Sequence, residues 1–197
     1  MGVSGPAVGI LGGAFDPPHD GHVALARAAI DHFRLGRLLV RVVEHPGHKN
    51  VAASAEDRLA LAELAFASVP GAEVEPDRFA RTVDSLEALG LSDPVFIVGA
   101  DEFVSFLQWK EPERVLELAR LGVAARPGYP QDAVALVLAQ LGRSDRVELF
   151  PLEPFPVSSS GIRERVAAAA RLDGLVPVPV AVEIERRGLY RPRSGLH

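Results

Sequence analysis

Short apolar runs alternate with amphipathic stretches along almost the whole chain. Ala7 to Leu11 reads as a buried strand, and a helical pattern follows from Val23 to Phe33. Val40 to Val43 reads as a second strand. Ser54, followed three residues later by Asp57, resembles a capping box and opens a helix carrying Leu59, Leu61, Leu64 and Ala65. A weak strand spans Ala72 to Val74, and a helix runs from Thr82 to Leu89. Pro94 to Val98 is the cleanest buried strand. Helical segments around Glu102 to Leu107 and Pro112 to Ala119 lead to a strand at Leu121 to Ala125. Ala133 to Leu141 reads as helix, Val147 to Phe150 as strand and Gly161 to Arg171 as helix. A last helix, Val178 to Arg187, begins after Pro177 and stops at Gly188, the usual order of these two punctuators.

Strands alternating with helices almost to the end of the chain predict an α/β fold: a Rossmann-like, doubly wound parallel sheet with helices on both faces. In such sheets ligands bind beyond the carboxyl ends of the strands, where the strand order reverses. The polar motifs fall at those ends. Gly12 to Asp16 follows the first strand, His45 to Lys49 the second, Gly99 to Asp101 the fourth, Arg126-Pro127-Gly128 the fifth and Ser158 to Arg163 the last.

Composition narrows the partners. With 197 residues, 48% of them hydrophobic, the chain can bury a sizeable core as one domain. A formal net charge of −5 argues against a broad basic field for nucleic acid, although a local site can still take anionic small molecules. No apolar run approaches a membrane span, and no charged segment precedes an apolar leader. The absence of cysteine fits a cytoplasmic setting. Five of the six histidines lie at positions 19, 22, 32, 45 and 48, but without cysteine or an H-E-x-x-H helix they do not read as a zinc site, and no residue is expected to ligate a metal.

The chemistry concentrates in Gly12-Gly13-Ala14-Phe15-Asp16-Pro17 and the following His19-Asp20-Gly21-His22. A glycine turn between strand and helix is ordinary geometry by itself. Two histidines at the helix start change that: free backbone N–H groups, the positive helix end and both imidazoles converge on one spot suited to an anion. The spacing matches neither the dinucleotide nor the phosphate-loop pattern. A second such spot is Val157-Ser158-Ser159-Ser160-Gly161-Ile162-Arg163, where serines cap a helix and offer hydroxyls while Arg163 supplies a bidentate fork.

Gly13 to His22 resembles the [GS]-x-F-D-P-x-H-x-G-H signature of a nucleotidyltransferase superfamily, and Val157 to Arg163 resembles its I-S-S-T-x-I-R element, with Val for Ile and Ser for Thr. Phe96-Ile97-Val98-Gly99-Ala100-Asp101, Trp109-Lys110, Arg126-Pro127-Gly128-Tyr129-Pro130, Gly188-Leu189-Tyr190-Arg191 and the Ser54-x-x-x-Arg58 helix extend the likeness, in order, to the nicotinate-mononucleotide adenylyltransferase family. The resemblance implies one nucleotidyltransferase domain over residues 1–197. It implies in-line attack of an acceptor phosphate on the α-phosphorus of ATP, with Mg²⁺ bridging phosphate oxygens and pyrophosphate leaving. Its implied nucleotide site is Gly12, Gly13, Ala14, Phe15, His19, His22, Gly99, Asp101, Ser158, Ser159, Ser160 and Arg163. Its implied acceptor site is Lys49, Arg81, Thr82, Asp101, Trp109 and Arg126, the Trp109 indole stacking on the nicotinate ring. His19, His22, Lys49 and Arg163 would do the catalytic work, the histidines as charge-assisted donors.

This sequence departs from the family pattern twice. The loop Val43 to Lys49 is shorter than the usual P-x-x-x-P-P-H-K, and Ala80-Arg81 stands where S-Y precedes T-x-D-T-L. Triphosphate chemistry is therefore better supported than acceptor identity. A sister enzyme using nicotinamide mononucleotide, phosphopantetheine or another phosphorylated acceptor, or another nucleoside triphosphate, is the alternative. Association into a homo-oligomer stays open.

Overall fold

The structure, a computed structural model, describes residues 7–47, 51–125 and 131–192. Its strands are β1 (Ala7–Gly13), β2 (Leu35–Val43), β3 (Ala72–Asp77), β4 (Val95–Gly99), β5 (Arg120–Ala125) and β6 (Val147–Pro151). Its helices are α1 (Asp20–Phe33), α2 (Ala55–Phe66), α3 (Thr82–Leu89), α4 (Ala100–Phe103), α5 (Pro112–Leu118), α6 (Gln131–Gln140), α7 (Ser159–Ala167) and α8 (Val178–Arg187). The strands form one sheet in the order β3-β2-β1-β4-β5-β6, and every neighbouring pair is parallel. The order reverses between β1 and β4, where Leu11 lies opposite Ile97. Their carboxyl ends, Gly12-Gly13 and Gly99, flank the ligand crevice expected of this topology.

Side chains alternate across the pleat, so the central strands β1, β4 and β5 feed two cores. Leu11 and Ile97 join Val23, Ala26, Leu61, Phe66, Ile162, Val180 and Ile184 on the face covered by α1, α2, α7 and α8. Ile10, Phe96 and Val98 join Val83, Leu86, Phe103, Val115, Leu116, Val134 and Val137 on the face covered by α3 to α6. Helices on both faces make the sheet doubly wound, as the alternation predicts.

Among the boundaries that differ from the sequence reading, three have a clear physical reason. β2 begins at Leu35 because α1 ends abruptly at left-handed Arg34, whose N–H reaches Ile30 O. Arg37 in β2 pairs bidentately with Glu73 of the neighbouring β3, at 2.7 and 2.6 Å, so a polar position belongs to the strand although hydropathy hides it. The helix expected over 102–107 is instead the short α4 followed by a 3₁₀ turn at Phe106–Gln108, which buries both Phe103 and Phe106. α7 stops at Ala167 rather than Arg171, because Ala167 to Ala170 are exposed and bury nothing against the sheet. Among the described residues no helix is long and apolar enough to cross a membrane.

Candidate active site

The β1–α1 turn is shaped by close contacts. Phe15 is buried with φ of 49°, a left-handed backbone that only well-packed surroundings hold for a large side chain. Its ring sits edge-on to Phe66 and to His22, at 5.6 and 5.1 Å between centroids. The Asp16–Pro17 peptide that follows is cis. His19 is the N-cap of α1, and its backbone N–H donates to His22 Nδ1 at 3.2 Å. The two imidazoles stack at 3.7 Å. Gly21 is closely packed, since a Cβ there would lie 3.1 Å from His19 Nδ1 and 3.3 Å from Val157.

The two histidines are not equivalent. Accepting a backbone N–H on Nδ1 leaves a neutral His22 with its proton on Nε2, so it is a donor without needing a positive charge. His19 is only 9% exposed, and its Nδ1 has no hydrogen-bond partner among the described residues. Burial pulls its pKa down from the usual 6.5 to about 4. The expectation of a charge-assisted His19 is thereby corrected: desolvation keeps this imidazole neutral near pH 7.

Beneath the turn lies a polar hub centred on buried Asp16. Its carboxylate accepts the N–H groups of Ala52 (2.6 Å) and Ala53 (3.1 Å) and the hydroxyl of Tyr190 (2.9 Å). Its backbone carbonyl accepts Arg163 at 2.7 Å, and Ser159 Oγ donates to the next carbonyl, Pro17 O, at 2.8 Å. The start of α7 is thus bonded to the β1–α1 turn. Ser158 caps α7 by accepting from Gly161 N–H and lies 3.1 Å from Ser160 Oγ. Ser159 gives its proton to the protein backbone, whereas the sequence suggested a phosphate.

Arg58 of α2, fully buried, completes the hub. It donates to the carbonyls of Ala14 and Val43 (both 2.7 Å), Glu44 (2.8 Å) and Ala53 (3.4 Å). One guanidinium therefore ties the end of β1 to the end of β2. Burial lowers its pKa, and the nearby Asp16 carboxylate opposes that shift. Sequence reasoning did not assign site roles to Asp16, Arg58 or Tyr190. The readable signal was their place in motifs: Asp16 inside F-D-P, Arg58 closing Ser-x-x-x-Arg, Tyr190 after the helix-ending Gly188.

Across the switch point, Gly99 caps α4, and a Cβ there would meet nothing within 4 Å. Asp101 is exposed in the first turn of α4. Trp109 is half-buried and packs edge-on against Phe96 (6.2 Å) and Phe106 (5.3 Å). Phe96 in turn lies under Gly12, where a Cβ would be 3.4 Å from the ring, so Trp109 and the glycine turn share one aromatic floor. The Lys110–Asp84 ion pair, at 2.7 Å, draws the Trp109 segment onto the start of α3. Thr82 opens α3, half-buried, and Arg81 is its exposed N-cap. Buried Asp77 shapes the turn before them, accepting Phe79 N–H (3.0 Å) and Ser85 Oγ (2.7 Å). Lys49 and Arg126 lie outside the described residues.

The structure therefore gathers Gly12, Gly13, Ala14, Phe15, His19, His22, Ser158, Ser159, Ser160 and Arg163 around one bonded turn. Gly99, Asp101 and Trp109 stand on the opposite side of the switch point, with Arg81 and Thr82 beside Trp109.

The cytidylyltransferase-like family model matches residues 10–165. A protein of Bordetella avium named probable nicotinate-nucleotide adenylyltransferase is 39% identical over 195 residues, covering 94% of this chain and 98% of the relative. One of the same name from Rubrobacter xylanophilus is 37% identical, covering 93% and 92%. Plasmodium falciparum nicotinic acid mononucleotide adenylyltransferase complexed with NaAD is 15% identical, and the two superpose with a TM-score of 0.76 over 94% of this chain and 98% of that one, a likeness of fold. With a matched model running from β1 into α7, and relatives aligned over nearly their full length, this chain belongs to the cytidylyltransferase-like family and, within it, to the nicotinate-nucleotide adenylyltransferases.

Proposed function

We propose that the chain, as a single domain, transfers the adenylyl group of ATP to nicotinate mononucleotide, giving deamido-NAD and pyrophosphate. The observation that carries this reading is the bonded unit of His19, His22 and the α7 start around Asp16, beside the switch point. An acceptor phosphate oxygen attacks the α-phosphorus, the bond to the bridging oxygen breaks, and pyrophosphate leaves. No protein nucleophile is needed, so positioning and charge stabilisation dominate.

His22 donates from Nε2 to the α-phosphate as charge builds there. Neutral His19 stacks on it and holds its ring orientation. Arg163 has one N–H on Asp16 O and is 30% exposed, which leaves the rest of its fork for the departing pyrophosphate. ATP would be used as its Mg²⁺ complex, the ion neutralising phosphate charge. Phosphate oxygens and water suit such an ion as ligands.

For the acceptor, Lys49 is assigned to its phosphate and Trp109 to the pyridine ring, with Arg126 as a further acceptor-binding residue. The Arg81 guanidinium is exposed and makes no hydrogen bond or ion pair among the described residues. An open cation on the rim favours an acceptor with a carboxylate over its amide counterpart, hence nicotinate over nicotinamide mononucleotide. Zero cysteines suits a cytoplasmic enzyme.

The test is a panel of phosphorylated acceptors with ATP and CTP, scored by pyrophosphate release and product mass. ATP with nicotinate mononucleotide is expected to give the dinucleotide. Release with another acceptor alone would move the chain to a sister activity.

A further inference from the structure

Two carboxylates flank Arg81 in the chain, Asp77 four residues before it and Asp84 three residues after. Either could pair with an exposed guanidinium, yet both are engaged elsewhere. Asp77 is buried and accepts Phe79 N–H (3.0 Å) and Ser85 Oγ (2.7 Å), with Arg41 3.5 Å away. Asp84 accepts Lys110 Nζ at 2.7 Å. Arg81 makes no hydrogen bond or ion pair among the described residues.

Asp84 is the carboxylate that could change this. Arg81 is the N-cap of α3 and Asp84 the third residue of the helix, so both belong to its first turn. Side chains at this spacing are neighbours, which is why capping boxes and i,i+3 ion pairs form. The turn is closed, with Ser85 N–H donating to Arg81 O at 3.2 Å. Lys110 comes from a different part of the chain, the connection from Trp109 to α5. Its other acidic neighbour, Glu111, is farther away at 3.9 Å. The hydrogen bond to Asp84 raises the Lys110 pKa, so the ammonium stays charged across the working range.

We propose that Lys110 is a specificity-determining residue: by holding the Asp84 carboxylate, it keeps Arg81 open for the anionic group of the acceptor. The inference rests on the proposed role of Arg81 towards the nicotinate carboxylate. Without the ammonium, Asp84 would satisfy Arg81 and add a negative charge where the acceptor brings its own. Both effects weaken a carboxylate-bearing acceptor far more than its amide counterpart. Lost support for Trp109 would act differently, since the two acceptors carry the same ring.

The test uses Lys110→Gln, Asp84→Asn, the double variant and, as a control, Arg114→Gln. Arg114 of α5 pairs with Glu87 of α3 at 3.0 Å, an exposed bridge farther along α3 from Arg81. The first readout needs no turnover. Phenylglyoxal labels open guanidinium groups, and mass spectrometry reports the rate at Arg81, with exposed Arg78 as the internal reference. In Lys110→Gln the Arg81 rate should fall about two- to fivefold relative to Arg78, the range an exposed ion pair supports. Asp84→Asn, the double variant and Arg114→Gln should label as wild type does. In kinetics, Lys110→Gln should raise the KM for nicotinate mononucleotide about two- to fivefold, while the inhibition constant of nicotinamide mononucleotide stays nearly constant. Adding Asp84→Asn should restore that KM.

An unchanged Arg81 labelling rate in Lys110→Gln overturns the proposal. So does a fall that persists in the double variant, since Asp84 would not then be its cause. Slower labelling with an unaltered KM for nicotinate mononucleotide overturns the functional half. An equal loss for both acceptors does the same, because it would make Lys110 a support for Trp109. If wild type releases no pyrophosphate with nicotinate mononucleotide, the proposed function fails separately, and labelling still decides whether Lys110 keeps Arg81 open.

Discussion

On the β1–α1 and α7 side of the crevice, polar groups are bonded to one another. Asp16 accepts four donors, from Ala52, Ala53, Tyr190 and Arg163, and Arg58 satisfies four carbonyls from β1, β2 and the residues that follow. On the β3–α3 side the picture is reversed. Buried Asp77 holds the turn, but the Arg78 and Arg81 guanidinium groups project exposed and make no hydrogen bond or ion pair among the described residues. The first side is preorganised, which is what charge stabilisation of phosphoryl transfer requires, because donors that need not move lose little energy when charge appears. The second side keeps cations solvated until an anion arrives. In the proposed function, catalysis and selectivity rest on differently built walls, and substitutions should separate them.

The largest effect is expected at the bonded side. Arg58→Met keeps much of the volume but leaves buried carbonyls unpaired, which should cost on the order of 3–5 kcal/mol in denaturant unfolding. A loss under 1 kcal/mol would mean that the hub is not what joins the ends of β1 and β2.

Next comes His22→Ala. Loss of a preorganised donor to developing phosphate charge should lower turnover by about 3–4 kcal/mol in barrier, by analogy with oxyanion-hole deletions. Pyrophosphate release measures it, with a melting curve to verify the fold. Near-normal turnover would remove His22 from the reaction.

His19 gives a pH signature. Below pH 6.5 the unfolded chain takes up a proton that folded His19 refuses until about pH 4, so stability should fall as pH drops through that window. The contribution is about 3 kcal/mol, fully present above pH 6.5. His19→Gln should flatten that part of the stability–pH curve, and an unchanged slope would contradict a buried neutral imidazole.

The smallest effect belongs to the open side. Trp109→Ala should weaken nicotinate mononucleotide by about 0.5–1.5 kcal/mol, read as a higher acceptor KM with the ATP KM nearly constant. An equal rise in both would sharpen the comparison the other way: the edge contacts of Trp109 with Phe96 and Phe106 would then be supporting the floor shared with Gly12.

Much of this architecture can be read along the chain. The helices Thr82–Leu89 and Val178–Arg187 lie where the pattern predicts them, since local periodicity and the glycines after them carry the signal. The glycine turn, both histidines and the serine–arginine element are legible for the same reason: the chemistry sits in contiguous residues. Boundaries set by partners are less legible. β2 starts early because Arg37 finds Glu73, and α7 ends early because its last alanines find nothing to bury.

By itself the sequence determined the alternation of strand and helix, the parallel sheet it requires and the glycine–histidine turn at the end of β1. Tertiary structure alone decided that Arg58, legible along the chain only as the end of a Ser-x-x-x-Arg motif, is the buried tie between two strand ends. It alone joined Tyr190 to Asp16, 174 residues away, and made His19 neutral and His22 an Nε2 donor. The reason is physical. Helix and strand propensity, turns and caps depend on neighbours along the chain, whereas desolvation and hydrogen-bond partnership depend on what folding brings into the same few ångströms.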